Sequence, residues 1–402
     1  MNKNKSMMYL IGLPNLGVGL LWAMNMTLIP MLVATYNVSN AKAGLLISMG
    51  AFTGIFVQYL AGLISDRSNF KMGKRKPFMI MGAIVTTIAM FAMPFAPSYS
   101  SLFVIAFIFY FSLNFYQGPY YSMIPEVVDE NQLGTANGFA RVISVLGGAF
   151  IFITGPILWN LKSGLNTNHS LAFFVAGLLG IITVLVTVFF VKERKEVIER
   201  KPTKIAFDFI KFPSALKFFA VIFFVYLGHG SLTPFFVKYC VEGLHVSENT
   251  ASTSLLMLTV VGAIFALPMG MISDKISKKT IMTGGIIIYG IALLAANFTS
   301  GTIALYIVMS ILGIGFVTIQ VTSYAILAEI VPQERLGEFM GIFNFFVSIA
   351  QFLANNIMGN LLDAVGYKVY FPIATVYIFT AAIILVFSKL NKHKQNAISE
   401  QV

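Results

Sequence analysis

The stretch YFSLNFYQGPYYSMIPEVVDENQLGTANGF, Tyr110 to Phe139, sets polar residues inside an apolar run and closes on a carboxylate and a short acidic loop. A second version, VTIQVTSYAILAEIVPQERLGEFMGI, runs from Val317 to Ile342. Gln320 lies 203 residues after Gln117. The same spacing relates Tyr324 to Tyr121, Glu329 to Glu126, Leu336-Gly337 to Leu133-Gly134, and Gly341 to Gly138. A duplicated polar helix in a mostly apolar chain marks an internal repeat, and function is expected there.

The composition around it is that of a chain whose surface faces lipid. Of 402 residues, 57% are apolar and 11% are charged, and the mean hydropathy is +0.82. Soluble domains carry about 25% charge. The single cysteine, Cys240, excludes an internal disulfide and a Cys-based metal cluster. His169, His229, His245 and His393 are scattered and make no metal box. No phosphate-cradling Gly-rich loop, HExxH pair or nucleophile elbow occurs, so enzyme chemistry is not expected. No cofactor is expected either.

A spanning helix needs about 20 apolar residues. Twelve such segments are predicted: 8–35, 41–64, 78–97, 101–125, 135–160, 169–191, 216–240, 251–272, 280–299, 302–328, 336–362 and 367–388. The first is too long for a signal-peptide core and is expected to stay as a helix. The longest polar stretch separates the sixth from the seventh. The chain therefore divides into a six-helix half over 1–191, a central loop over 192–215, a second six-helix half over 216–390 and a tail over 391–402. If the amino terminus is cytoplasmic, 21 of the 27 Lys and Arg fall on that side and four on the other. Positive residues gather in cytoplasmic loops, so both termini are expected inside a cell membrane. The net charge of +11 is then topogenic and implies no nucleic acid.

The connecting loops repeat as well. GLISDRSNFKMGKRKP begins at Gly62 and GMISDKISKKT at Gly270, so that Asp66-Arg67 matches Asp274-Lys275. These loops resemble the signature between helices two and three of the major facilitator superfamily. The resemblance implies an all-α integral membrane fold, with twelve transmembrane helices in two pseudo-symmetric six-helix halves. It also implies a solute site between the halves near the membrane midplane. Asp66 at a helix end can cap a facing helix, and Arg67, Arg75 and Lys76 can bridge to Glu126 or Asp129. Asp66, Arg67, Arg75, Glu126, Arg141, Asp274 and Glu329 are thus the candidate gate, with Arg141 expected against Glu126 across a short loop. The alternative is a set of solvated topogenic charges.

Asn114, Gln117 and Tyr121 share one helical face by their i, i+3, i+7 spacing. Neutral amides and a phenol suit a hydroxyl-rich solute, although amides also tie membrane helices to one another. Gln320 and Tyr324 repeat the pattern. QGPYYSMIPEVV, with SMGAFTGIFVQYLAGLISDR and GVGLLWAMNMTLIPML upstream, resembles the sucrose and glycoside cation symporters. Asn114, Gln117, Gly118, Pro119 and Glu126 match that group's helix four, and Gly54, Val57, Gln58, Gly62, Ser65, Asp66 and Arg67 match its helix two. Two positions depart. Tyr121 stands where the group has arginine, and Tyr110 where the plant sucrose carriers have a protonated aspartate. Ala41 to Ile64 lacks the carboxylates that melibiose-type relatives use for sodium.

Further candidates for solute contact are Trp22 and Asn25 in the first segment, with Pro30 expected to bend its outer end. His229 is the mid-helix histidine of the seventh segment. Asn344, Ser348, Gln351 and Asn355 form a polar stripe in the eleventh. The function expected is secondary transport of a sugar or glycoside across a bilayer by a monomer, with a proton favoured over sodium as coupling ion. The alternatives are a drug-efflux antiporter, whose Gly-Pro motif is matched only in part by Gly155-Pro156, and a non-transporting sensor.

Overall fold

The structure, a computed structural model, describes residues 9–68, 70–128, 133–162, 164, 166–192, 210–299, 301–332 and 335–391. Among the described residues, twelve helices are long and apolar enough to cross a membrane. In chain order they are α1 (Tyr9–Ala34), α2 (Asn40–Ser65), α3 (Lys76–Phe95), α4 (Tyr99–Ile124), α5 (Phe139–Asn160), α6 (Thr167–Phe190), α7 (Pro213–Gly243), α8 (Glu248–Ser273), α9 (Lys278–Ala296), α10 (Thr302–Ile330), α11 (Glu338–Val365) and α12 (Tyr367–Phe387). In hydrocarbon every backbone amide must find a partner within the chain, which leaves helices as the natural solution. Residues 193–209 of the expected central loop and residues 392–402 of the tail lie outside the described residues.

The packing repeats as the sequence does. In the first half α1 packs on α5 and α6, α2 on α4, and α3 on α4 and α6. In the second half α7 packs on α11 and α12, α8 on α10, and α9 on α10 and α12. The halves meet along two seams, α2 against α11 and α5 against α8. Small residues permit the closest approaches. A Cβ on Gly118 would stand 2.2 Å from the Gln58 carbonyl oxygen, and one on Gly313 would stand 2.3 Å from that of Leu258. The α2–α4 and α8–α10 contacts are therefore backbone to backbone.

Helix breaks fall where the sequence removes amide donors. α1 interrupts at Thr27, three residues before Pro30, with φ −127° and ψ −74°. The Thr27 hydroxyl donates back to the Ala23 carbonyl at 2.8 Å. α7 passes through a short 3₁₀ turn containing Pro234 and ends in a π-turn over Tyr239–Gly243. Three helix starts on one face carry serine caps: Ser39 before α2, Ser98 before α4 and Ser247 before α8.

Candidate functional site

With twelve candidate crossings, the first and last described residues, Tyr9 and Asn391, lie on one face, here called the face of the chain ends; the opposite one is called the far face below. At the far face the halves are bonded together. Both oxygens of Asp363, near the end of α11, accept from the first amides of α2, Asn40 N and Ala41 N, at 2.7 Å each. Ser39 Oγ accepts from Lys42 N at 3.3 Å. Three of the four amides that a helix start leaves open are thus satisfied, two of them by the other half. Lys238 Nζ of α7 donates to Asn40 Oδ1 at 2.6 Å, and Asn356 Nδ2 of α11 donates to Ser48 Oγ of α2 at 3.1 Å. On the second seam Asn160 Nδ2 of α5 donates to Glu248 Oε2 of α8 at 2.9 Å. Asp363, Lys238 and Glu248 were not among the residues singled out in sequence. The only local signal was the serine cap at Ser39, and nothing near it points to a carboxylate over three hundred residues away.

Behind this seal lies a cavity of about 700 Å³ between the halves, walled by α1, α5, α7, α8, α10 and α11. Of the residues expected to contact solute, Trp22, His229, Gln320 and Gln351 line it. Tyr226 lines it too, and its hydroxyl is hydrogen-bonded to the Gln320 side chain. His229 is buried, stacked on Phe316 with centroids 3.6 Å apart and planes 11° apart. Its Nδ1 lies 2.9 Å from the Tyr289 hydroxyl.

Arg141 also lines this cavity, and its Nη2 donates to Gln320 Oε1 of the other half at 3.1 Å. Tyr121, Tyr226 and Tyr324 stand within electrostatic reach of its guanidinium. Tyr121 and Tyr324 are 41% and 48% exposed. The expected Arg141–Glu126 approach is not what the structure shows. Glu126 is taken by Arg75, and Arg141 reaches from α5 across to α10.

The polar face of α4 divides. Asn114 Nδ2 donates to Gly50 O, Thr53 Oγ1 and Tyr110 O at 3.1, 2.9 and 3.0 Å. Asn114 Oδ1 accepts from Gln58 Nε2 at 2.7 Å, and the same nitrogen is 3.2 Å from Gln117 Oε1. The Tyr110 hydroxyl donates to Asn25 Oδ1. Asn25, Gln58, Asn114 and Gln117 therefore sit in the α1–α2–α4 packing and outside the cavity lining. Amides in an apolar medium pair with whatever polar atoms are near, and the close α2–α4 contact at Gly118 supplies them. Gln117 is 2% exposed and its Nε2 has no partner among the described residues. In α11, Asn344 is exposed and does not line the cavity, whereas Gln351, two turns on, does.

At the face of the chain ends each half carries its own ion pair. Arg75 Nε and Nη2 meet Glu126 Oε2 and Oε1 at 2.9 and 2.5 Å, a two-bond fork. Lys278 Nζ meets Glu329 Oε1 at 2.5 Å. Lys278 was absent from the expected gate. The repeat held the signal, since Lys278 lies 203 residues after Arg75, as Glu329 does after Glu126. Arg67 is exposed just past the end of α2. The side chains of Asp66 and Asp274, and all of Asp129, lie outside the described residues. No group of three or more His, Cys, Asp or Glu among the described residues is placed to hold a metal ion.

Similarity to known proteins agrees with this architecture. The general alpha-glucoside permease of Schizosaccharomyces pombe is 27% identical over 48% of this chain and 38% of its own length. An uncharacterized MFS-type transporter of Methanocaldococcus jannaschii is 22% identical over 94% of both chains. The crystal structure of the nucleoside transporter NupG superposes with a TM-score of 0.81 at 14% identity, covering 94% of this chain and 98% of that one. The family of MFS/sugar transport proteins matches residues 10–388, and with nearly the whole length accounted for, the chain belongs to that family of multi-pass membrane transporters.

Proposed function

We propose that the protein is a secondary active transporter of a sugar or glycoside in the cell membrane, with both termini cytoplasmic. The observation that carries this reading is the cavity between the halves, sealed at the far face and lined by Trp22, Tyr226, His229, Gln320 and Gln351. Amides, a phenol and an imidazole supply hydrogen bonds for hydroxyl groups, and Trp22 offers an apolar plate for a sugar ring. With the termini inside, the far-face bonds hold the two halves together on the outer side. Alternating access then requires the far-face bonds around Asp363 and Asn40 to break while the opposite ends close.

A proton is favoured over sodium as the coupling ion, because no carboxylate is found among the described cavity-lining residues or between Ala41 and Ile64. The same absence, together with Arg141, disfavours export of cationic drugs. Uptake of a panel of labelled sugars and glycosides into proteoliposomes, with imposed proton or sodium gradients, tests the reading. Accumulation of at least one glycoside driven by a proton gradient is expected. Export of a lipophilic cation without uptake of any glycoside would replace this reading with the antiporter.

A further inference from the structure

The cavity carries one formal charge that its walls do not cancel. Arg141 is the only Lys, Arg, Asp or Glu among the described residues lining it. Its hydrogen bond to Gln320 Oε1 at 3.1 Å engages a neutral acceptor. A guanidinium keeps its charge and presents five N–H donors in a planar fork shaped for a carboxylate. The groups around it, Tyr121, Tyr226 and Tyr324, bring hydroxyls and no negative charge.

Among the described residues, three carboxylates at the face of the chain ends are engaged by other cations. Glu126 closes on Arg75, Glu329 on Lys278 and Glu338 on Arg335. The repeat offers no counter-charge either, because the residue 203 positions after Arg141 is Asn344. An ionisable side chain within a membrane protein is costly and is kept where it meets a partner. Here the space beside it is the solute cavity.

We infer that Arg141 is a charge filter: it makes the carrier favour a solute bearing a carboxylate over its neutral isostere, and disfavour one bearing an ammonium group. The guanidinium edge not engaged by Gln320 takes the carboxylate, while Trp22 and the hydrogen-bonding side chains take the remainder of the molecule. A cation brought to the same place meets a like charge. The inference rests on the cavity being a sugar site.

Three probes that differ only at C6 test it: D-glucuronate, D-glucose and 6-amino-6-deoxy-D-glucose. Uptake of each into proteoliposomes is measured with the membrane potential clamped at zero. Binding is followed in parallel by tryptophan fluorescence. A charge-assisted pair predicts a preference for glucuronate over glucose of about tenfold or more in kcat/KM, with the amine last. Arg141→Gln should bring the three within about threefold of one another, and Arg141→Lys should keep the order with a smaller ratio, because it keeps the charge but loses the fork. Melting temperature and elution profile establish that each variant is folded.

Glucose carried as well as glucuronate, or a ratio unchanged in Arg141→Gln, overturns the filter and leaves the sugar reading standing. If neither these probes nor any glycoside of the wider panel is bound or carried by the folded protein, both fall together.

Discussion

Gln117 and Gln320 occupy the same slot of the repeat and do different work. Gln117 is buried between α2 and α4, where it accepts from Gln58. Gln320 faces the cavity and holds Arg141 of the opposite half. The same divergence separates Arg141 from Asn344, and the forked Arg75–Glu126 pair from the single Lys278–Glu329 contact. Duplication fixed the scaffold of both halves alike. The chemistry then collected at their junction, where the first half brings the cation and the second brings its neutral acceptor. A pseudo-symmetric carrier thus has one asymmetric site, and each equivalent pair measures how far the halves have parted.

The largest difference is expected at the ion pairs. Glu126→Gln weakens a fork on Arg75, whose side chain is 5% exposed, and should cost about 2 kcal/mol. Glu329→Gln touches a pair whose members are 25% and 30% exposed and should cost less than about 1 kcal/mol. Thermal unfolding of detergent-solubilised variants reads both. Equal shifts in melting temperature would erase this asymmetry.

Gly118→Ala and Gly313→Ala probe the backbone contact that each half makes between its second and fourth helices, at positions that the 203-residue spacing does not pair. Each places a methyl group against a backbone carbonyl of the neighbouring helix, so each should cost about 1–3 kcal/mol, and by similar amounts. A loss at only one of them would show that the interhelix contact has been remodelled in the other half.

Next come the glutamines. Gln117→Ala should lower stability by about 1 kcal/mol and leave KM for the carried sugar within about twofold. Gln320→Ala should raise KM several-fold with little change in melting temperature. The reverse pattern would move the site from α10 to α4. Asn344→Ala, at the position equivalent to Arg141, should alter neither quantity measurably, and a KM shift comparable to that of Gln320→Ala would put α11's exposed stripe into the solute path.

Much of the architecture was legible because hydropathy and spacing encode it. Twelve apolar runs, two six-helix halves and two offset motifs describe the fold before any coordinate does. Pro30 was expected to bend the outer end of α1, and the helix breaks at Thr27, next to Met26, whose carbonyl the proline has no amide to reach. The site was legible only in part. Trp22, His229, Gln320 and Gln351 line the cavity, whereas Asn25, Gln58, Asn114 and Gln117 lie in helix packing. Periodicity says which residues share a face of a helix, and it does not say whether a neighbouring helix or open space covers that face. Asn114 and Tyr121 share a face, yet α2 covers the first while the second is exposed. Contacts between halves were least legible, since Asp363 with Asn40 and Arg141 with Gln320 depend on how two rigid bodies meet.

The carboxylate of Asp363 that caps α2 is a tethered ligand, and its receptor is the first turn of a helix in the other half. Under the alternating access proposed above, opening the far face is a dissociation whose equilibrium depends on local concentration as well as on bond strength. The remaining seam contacts, Lys238 with Asn40 and Asn356 with Ser48, set that concentration by holding the two bodies in register. Loosening either one raises the open fraction without altering the cap itself. The duration of each far-face opening is in this sense a rebinding time, adjustable from positions that touch neither the solute nor the carboxylate.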